Sequence, residues 1–422
     1  MKLGDICSKI GSGATPRGGK ESYKDSGTPI IRSQNVLDWS FSSDGLAYLD
    51  DEQACALSNV EVKPRDVLLN ITGDSVARAC IVPNEFTPAR VNQHVSILRT
   101  NSRSNPVFLL AWLQTNKPLL LSLASSGATR NALTKMMLEK LDINLPPIDV
   151  QERIAGIVLS IQSKIEANTK LNGYLLELAM ARFESALEAE SKTVRFCDIV
   201  ALEDSKRVPL NSRDREARKG PYPYYGATSV MDHVNDYLLD EIRVLLGEDG
   251  TVIGPEGRPI LQYVWGKYWV NNHAHILAPS SEYSLEAIYI ALRRTVISHI
   301  VTGAVQMKIS QRNLKSLELE MPSLKSLDCL QDLFAAYRSN QDESAKLAGL
   351  RDALLPKLMA GEIDVSKVDL TQLNSHLLEI DVTLEVLDRC IEIAVRTVAC
   401  VHVWMVSQEM RNTLIEVSYE LS

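Results

Sequence analysis

Four stretches of this 422-residue chain hold residues whose types and spacing could do chemistry. In GSGATPRGGK (Gly11 to Lys20), Gly13 and Gly18 have the spacing of a phosphate-gripping loop. That loop needs a lysine after its second glycine and then a metal-binding hydroxyl. Here Gly19 takes the lysine's place, and Glu21 follows Lys20 where Ser or Thr should stand. A nucleotide-hydrolysing site is excluded, and what is left is a loop whose Arg17 and Lys20 suit a phosphate backbone. The second stretch is WVNNHAHIL, in which His273 and His275 are expected to alternate on one strand face. With no carboxylate or cysteine at ligand spacing they read as structural histidines, and no metal site is expected. The third is TPIIRSQNV (Thr28 to Val36), a strand that brings Arg32, Gln34 and Asn35 to its exit. Such side chains make bidentate contacts to guanine or adenine edges; a polar strand end would look the same. Between Arg207 and Tyr237, five basic residues precede Tyr222, Tyr224 and Tyr225. That mixture serves either a nucleic-acid surface or a solvated loop above a tyrosine-lined core.

Positioning these residues requires a frame, and the frame is written twice. SGATRNALTKMMLEKLDINLPP (from Ser126) aligns with TGAVQMKISQRNLKSLELEMPS (from Thr302), Gly127 over Gly303 and Pro146 over Pro322. RVNQHVSIL (from Arg90) matches WVNNHAHIL (from Trp269), and DVLL at Asp66 matches RVLL at Arg243. Three matches in one order, at one spacing of about 180 residues, indicate duplicated domains and not a solenoid. Within each lobe the short, turn-punctuated apolar runs, such as VKPRDVLLNITGDSVARACIV from Val62, predict a β-rich fold with few helices.

Each lobe is followed by a long amphipathic run. From Pro147 the apolar residues Ile154, Ile157, Ile161, Ile165, Leu171, Leu175 and Leu178 recur at mostly three- and four-residue steps. Asp149 and Glu152 have the spacing of a capping box at the helix start. The second run carries Leu330, Phe334, Tyr337, Leu347, Leu350, Leu354 and Leu358 and stops at Gly361. About 40 helical residues reach roughly 60 Å, and a stripe this long predicts a coiled-coil seam between the two helices.

Charge sets few limits. The net charge is −8, but it sits on the helices and the tail, while the lobes are balanced. Charge by itself therefore does not argue for nucleic acid. The seven cysteines are scattered without a C-x-x-C pair, which fits reduced thiols. MKLGDICSKI lacks an apolar signal core, and no apolar run reaches membrane-spanning length. A cytoplasmic chain with no membrane partner is expected.

PPIDVQERIAGIVLSIQSKIEANTKLN resembles the central conserved region of the DNA-specificity subunits of type I restriction-modification systems. KLGDICSKIGSGATPRGGKESY is similar to the start of that family's recognition domains, and PYYGATSVMD and AGLRDALLPKLMAGEIDV to its later conserved parts. The resemblance covers residues 1–368. It implies an α+β fold with two β-rich target-recognition domains in tandem, separated by two long antiparallel coiled-coil helices. The domains expected are 1–148 and 191–322 for recognition, 149–190 and 323–368 for the helices, and an acidic helical extension, 369–422, of no assigned role.

The resemblance further implies a non-catalytic subunit that reads a bipartite, asymmetric site in double-stranded DNA, one half per lobe. A rod of this length would separate two major-groove contacts by about one turn of DNA, roughly 34 Å. Two modification (methyltransferase) subunits and restriction subunits are the implied partners. S-adenosylmethionine, ATP and Mg are expected in those partners and no cofactor in this chain. Consistent with that division, the chain has no N/D-P-P-Y/F motif and no Walker lysine. Candidate DNA contacts, chosen on polarity and loop position, are Arg17, Lys20, Arg32, Gln34, Asn35, Thr72, Arg78 and Arg130 in the first lobe. In the second they are Arg218, Lys219, Tyr222, Tyr225, Thr228, Lys308 and Gln311. Helix packing is assigned to Ile154, Ile161, Ile165, Leu171, Leu175, Leu330, Phe334, Tyr337, Leu347 and Leu354. The competing reading is a coiled-coil scaffold that binds protein or glycan partners without DNA sequence selectivity.

Overall fold

The computed structural model describes residues 1–368 except 17, 126–131, 255, 304–305, 324–326 and 328, and the side chain of Lys20. Arg17, Arg130 and the extension 369–422 therefore lie outside the described residues. The chain forms two compact units. One gathers Met1–Ala167 with the chain from Glu343; the other is Asn168–Asp342. Both cut through the long helices, Ile148–Ala189 and Cys329–Ala360, and not at the lobe–helix boundaries that the prolines suggest.

In the first unit the antiparallel strands Cys7–Ser12, Val95–Thr100, Val67–Asn70 and Ala79–Ile81 lie side by side in that order. A second sheet orders Ala47–Leu49, Thr28–Ile31, Ala89–Val91 and Glu61–Val62, with its central pair parallel. Val67–Asn70 is buried at all four positions, which demands cover on both faces. Leu68, with Ile97 and Val95, faces the second sheet, whereas Val67 and Leu69 face the helices. Among those helices, Pro106–Thr115 is capped by Asn105, whose Oδ1 accepts the Val107 amide at 2.9 Å.

The second unit repeats this plan. Its strands run Val200–Leu202, Ala274–Pro279, Arg243–Gly247, Leu261–Val264 in one sheet and Val230–Val234, Lys219–Tyr225, Lys267–Val270, Leu239–Asp240 in the other, again with a parallel central pair. The helix Leu285–Arg294, capped by Ser284, stands where Pro106–Thr115 stands in the first unit. Among the described residues no single helix is long and apolar enough to cross a membrane.

The two long helices run antiparallel within each unit. In the first, Arg153 meets the Val365 carbonyl, Gln162 meets Arg351, and Lys164 pairs with Glu343. In the second, Asn168 and Asn172 donate to the carbonyls of Asn340 and Tyr337, and Asn340 returns a bond to Asn172 at 2.9 Å. The contact is wider than a seam. Ile154, Ile157 and Ile161 share one core with Leu355, Leu358 and the first lobe's Phe108 and Leu109. Ile165, Leu347 and Leu354 pack against its edge. Leu330 and Phe334 join Phe183 and the second lobe's core; Leu171 and Leu175 are buried, and Tyr337 rests against the Phe334 ring.

Two expectations about the helices are corrected. Leu350 is half exposed, and Leu355 takes the inward position, because the helix must cover a lobe as well as its partner. The capping box also fails. The helix already begins at Ile148, which puts Asp149 inside the first turn. The start is held by the buried Gln151, whose Oε1 accepts the Asn105 amide and whose Nε2 donates to the Arg103 and Pro146 carbonyls at 2.8–3.0 Å.

Candidate nucleic-acid interface

An Asn-x-His turn at one end of each lobe organises the candidate residues. The sequence suggests one unbroken strand through RVNQHVSIL, but the structure breaks it between Val91 and Val95. Asn92 folds its side chain onto the His94 amide at 3.0 Å, and Asn271 does the same to His273 at 2.8 Å. An asparagine bonded to the backbone two residues on is an Asx-turn, which competes successfully with the sheet ladder. His273 consequently sits in the turn, half exposed, while His275 lies in the next strand with no exposure. The two histidines do not share a face.

Around the first turn, three loops converge. His94 Nδ1 shares a hydrogen bond with Thr72 Oγ1 at 2.6 Å, and Leu133 donates its amide to Ile71 at 2.8 Å. Gly13 packs so closely on the Val91 carbonyl that a Cβ there would collide with it, which carries the glycine-rich loop to the same end. Asn70 Nδ2 ties Ser33, Val36 and Ser75 together. Arg32, Gln34, Thr72 and Arg78 are thus brought to one end of the lobe. Gln34 is exposed; Arg32 lies against the Tyr23 ring and bonds the Gly45 carbonyl. Half-buried Arg78 has no side-chain partner among the described residues. Asn35 is different: it is fully buried, and its amide is spent on Ser42, Asp44 and the Arg32 backbone. It holds the loop and presents no edge to a base.

The second lobe has the same junction with different chemistry. His273 bonds Asp249 at 2.6 Å, the position of Thr72 in the repeat. Gly250 donates to Met307 at 3.0 Å, and Asp249 and Lys308 form a β-bridge. Tyr225 accepts from the Asn271 amide, and Thr228 is exposed beyond it. Tyr225, Thr228, Lys308 and Gln311 thus gather at this end. Arg218 and Lys219 do not, because they lie at the start of Lys219–Tyr225, and six residues of strand span roughly 20 Å; Tyr222 lies midway along that strand. Lys219 is occupied there by Asp232 at 2.8 Å, which raises the lysine pKa and lowers that of Asp232 to about 2. Tyr222 meets Tyr237 edge-on at 5.2 Å, and exposed Arg218 bonds Asn235 through its carbonyl.

Beneath the second junction lies a cluster that sequence spacing does not reveal. Asp204, Glu248 and His275 bring three potential ligand atoms within 4.8 Å of one another. The carboxylates already hold the protein's own cations. Glu248 receives Arg207 at 2.5 Å and Lys308 at 3.3 Å, and Arg207 also lies 3.4 Å from Asp204. Burial disfavours both charged carboxylates, yet both are held below the usual range. His275, the Ile276 amide and Arg207 do this for Asp204, and Arg207, His275 and Lys308 for Glu248. The arrangement is an ion-pair network that fixes loops.

A family model described as type I restriction modification DNA specificity domain matches residues 1–175 and 188–347. A putative type I restriction enzyme specificity subunit from Haemophilus influenzae is 29% identical over 142 residues, covering 33% of this chain and 36% of its own length. The specificity subunit of the MjaIX type I enzyme from Methanocaldococcus jannaschii is 22% identical, covering 87% of this chain and 94% of that one. Among solved structures, a type I restriction-modification S subunit from M. genitalium superposes with a TM-score of 0.51 at 15% identity, covering 85% and 95% of the two chains.

Proposed function

This chain belongs to the type I restriction-modification DNA specificity family, and on that premise we propose that it selects the DNA sequence on which a type I complex acts. Each lobe reads one half of a bipartite, asymmetric site in double-stranded DNA. The chain itself is non-catalytic. Two modification subunits, which hold S-adenosylmethionine, perform the methylation, and restriction subunits with ATP and Mg perform the cleavage. The observation that carries this reading is the repeated junction. The same Asn-x-His turn and three converging loops occur twice, on two copies of one sheet plan, yet Thr72 is replaced by Asp249 and Ile71 by Glu248. A shared frame with divergent loop chemistry is what two readers of different half-sites require.

The test is the pattern of adenine methylation in the genome of cells that express this chain with its modification subunit. The expected result is a split motif of two short half-sites that disappears when the chain is deleted. Changing loops of the second lobe alone should alter one half and leave the other. Methylated motifs that survive deletion of this chain, while the modification subunit remains active, would overturn the proposal.

A further inference from the structure

His275 has no exposure and sits between two acceptors. Its Nδ1 lies 2.6 Å from Asp204 Oδ2, and its Nε2 lies 2.9 Å from the Ile309 carbonyl oxygen. A neutral imidazole has one N–H and could serve only one of them, turning a lone pair toward the other; an imidazolium donates to both. Charged groups of both signs lie around the ring. Asp204 and Glu248 face it, with Glu248 at 3.7 Å, and the cations Arg207 and Lys308 are each engaged with those carboxylates.

The same cluster holds the segment from Lys308 to Gln311 at four points. Lys308 Nζ reaches Glu248, and the Ile309 amide donates to the Glu248 carbonyl at 2.8 Å. The Ile309 carbonyl accepts from His275, and Gln311 Nε2 donates to Asp204 at 2.5 Å. Asp204 also accepts the Ile276 amide at 3.0 Å, which fastens the segment to the strand behind it. The first lobe lacks the device. Its sheet register places Ser96 opposite Leu69 where the second lobe has His275 opposite Leu246, and Ile71 stands in the place of Glu248.

We propose that His275 is doubly protonated and is the positioning residue for the Lys308–Gln311 segment, so that reading of one half-site, and only that one, depends on a buried imidazolium. The second clause rests on the DNA-reading role of this loop; the first does not. The full-length chain labelled with ¹⁵N-histidine should show, at about pH 7.5, one histidine with both ring nitrogens protonated, absent from the His275→Gln variant. A His275 with one unprotonated ring nitrogen at that pH would overturn the proposal, whatever the chain does with DNA.

The second measurement is methylation of matched and half-site-altered duplexes by the complex assembled with modification subunits. His275→Gln keeps a polar side chain and removes the charge. It should reduce discrimination at one half-site about tenfold, the worth of one charge-assisted hydrogen bond, and leave the other half-site unchanged. Asp204→Asn should affect the same half. If His275→Gln melts cooperatively near the wild type and keeps full discrimination at both halves, the positioning role is wrong. If His275→Gln fails to fold, Asp204→Asn decides in its place, with the same half-site weakened or the proposal lost. If the wild-type complex shows no sequence preference, the proposed function fails, and the nitrogen spectrum still judges the histidine.

Discussion

At the scale of single residues, the structure separates side chains that face outward from those spent on the frame. Half-buried Arg78 has no side-chain partner among the described residues, whereas Asn35 and Asn70 are consumed in loop bonds, and exposed Gln34 also donates to the Asp44 and Gly45 carbonyls. Arg78→Ala is expected to weaken binding of the assembled complex to its site by about tenfold, measured by titration at fixed salt. Arg351 shows the opposite use of a cation. It is nearly buried, donates to Gln162 at 2.8 Å and lies 4.6 Å from the centre of the Trp39 ring. Arg351→Ala should cost about 2–4 kcal/mol of stability, since it removes a charged hydrogen bond and a desolvated cation–π contact; urea unfolding checks this. Thiol chemistry follows burial as well. Cys80 is buried, and its thiol is pushed up to about 12, while Cys55, Cys197 and Cys329 are exposed. Alkylation of the folded chain at neutral pH should label those three and spare Cys80, as peptide mapping will show.

At the scale of elements, the apolar runs were readable because burial on two faces leaves little choice of residue. DVLL and RVLL became central strands, and the two long stripes became helices. What the sequence hid were bonds between distant residues. Nothing local marks Gln151 as the anchor of the first long helix, because its partners Arg103 and Asn105 lie on a loop more than forty residues earlier. Gln151→Ala would leave a buried amide and two carbonyls without partners, at a cost of about 2–4 kcal/mol. Asp149→Ala, in the failed capping box, should cost less than about 0.5 kcal/mol. Thermal melts of the two variants distinguish these outcomes. The junction histidines tell the same story. Their turns were written in the Asn-x-His spacing, but the bond from His275 to Asp204 crosses 71 positions and leaves no pattern to read. Polarity placed the candidate residues on loops without telling which of them the frame consumes, as it does Asn35.

At the scale of the whole molecule, a net charge of −8 conceals an uneven distribution of ion pairs. In the second unit Glu203, Asp204, Asp232 and Glu248 all have lowered pKa values. A carboxylate with a depressed folded-state pKa contributes stability above its unfolded value, about 4, and loses it as pH falls toward the folded value. For Asp232 that loss extends down to about 2. The second unit should therefore unfold before the first when the chain is acidified below about pH 4, and hydrogen exchange resolved by unit measures the order. The placement of the cores inside the helices has a consequence for inheritance. Ile154 and Leu355 belong to one hydrophobic interior, Phe183 and Phe334 to the other. A genetic crossover at the prolines would divide an interior between two parents, whereas one near Asn168, with a second near Glu343, would exchange an intact reading head. Viable hybrids between divergent relatives should carry their joints at mid-helix, and new sequence specificities should arise there by recombination more readily than by point mutation.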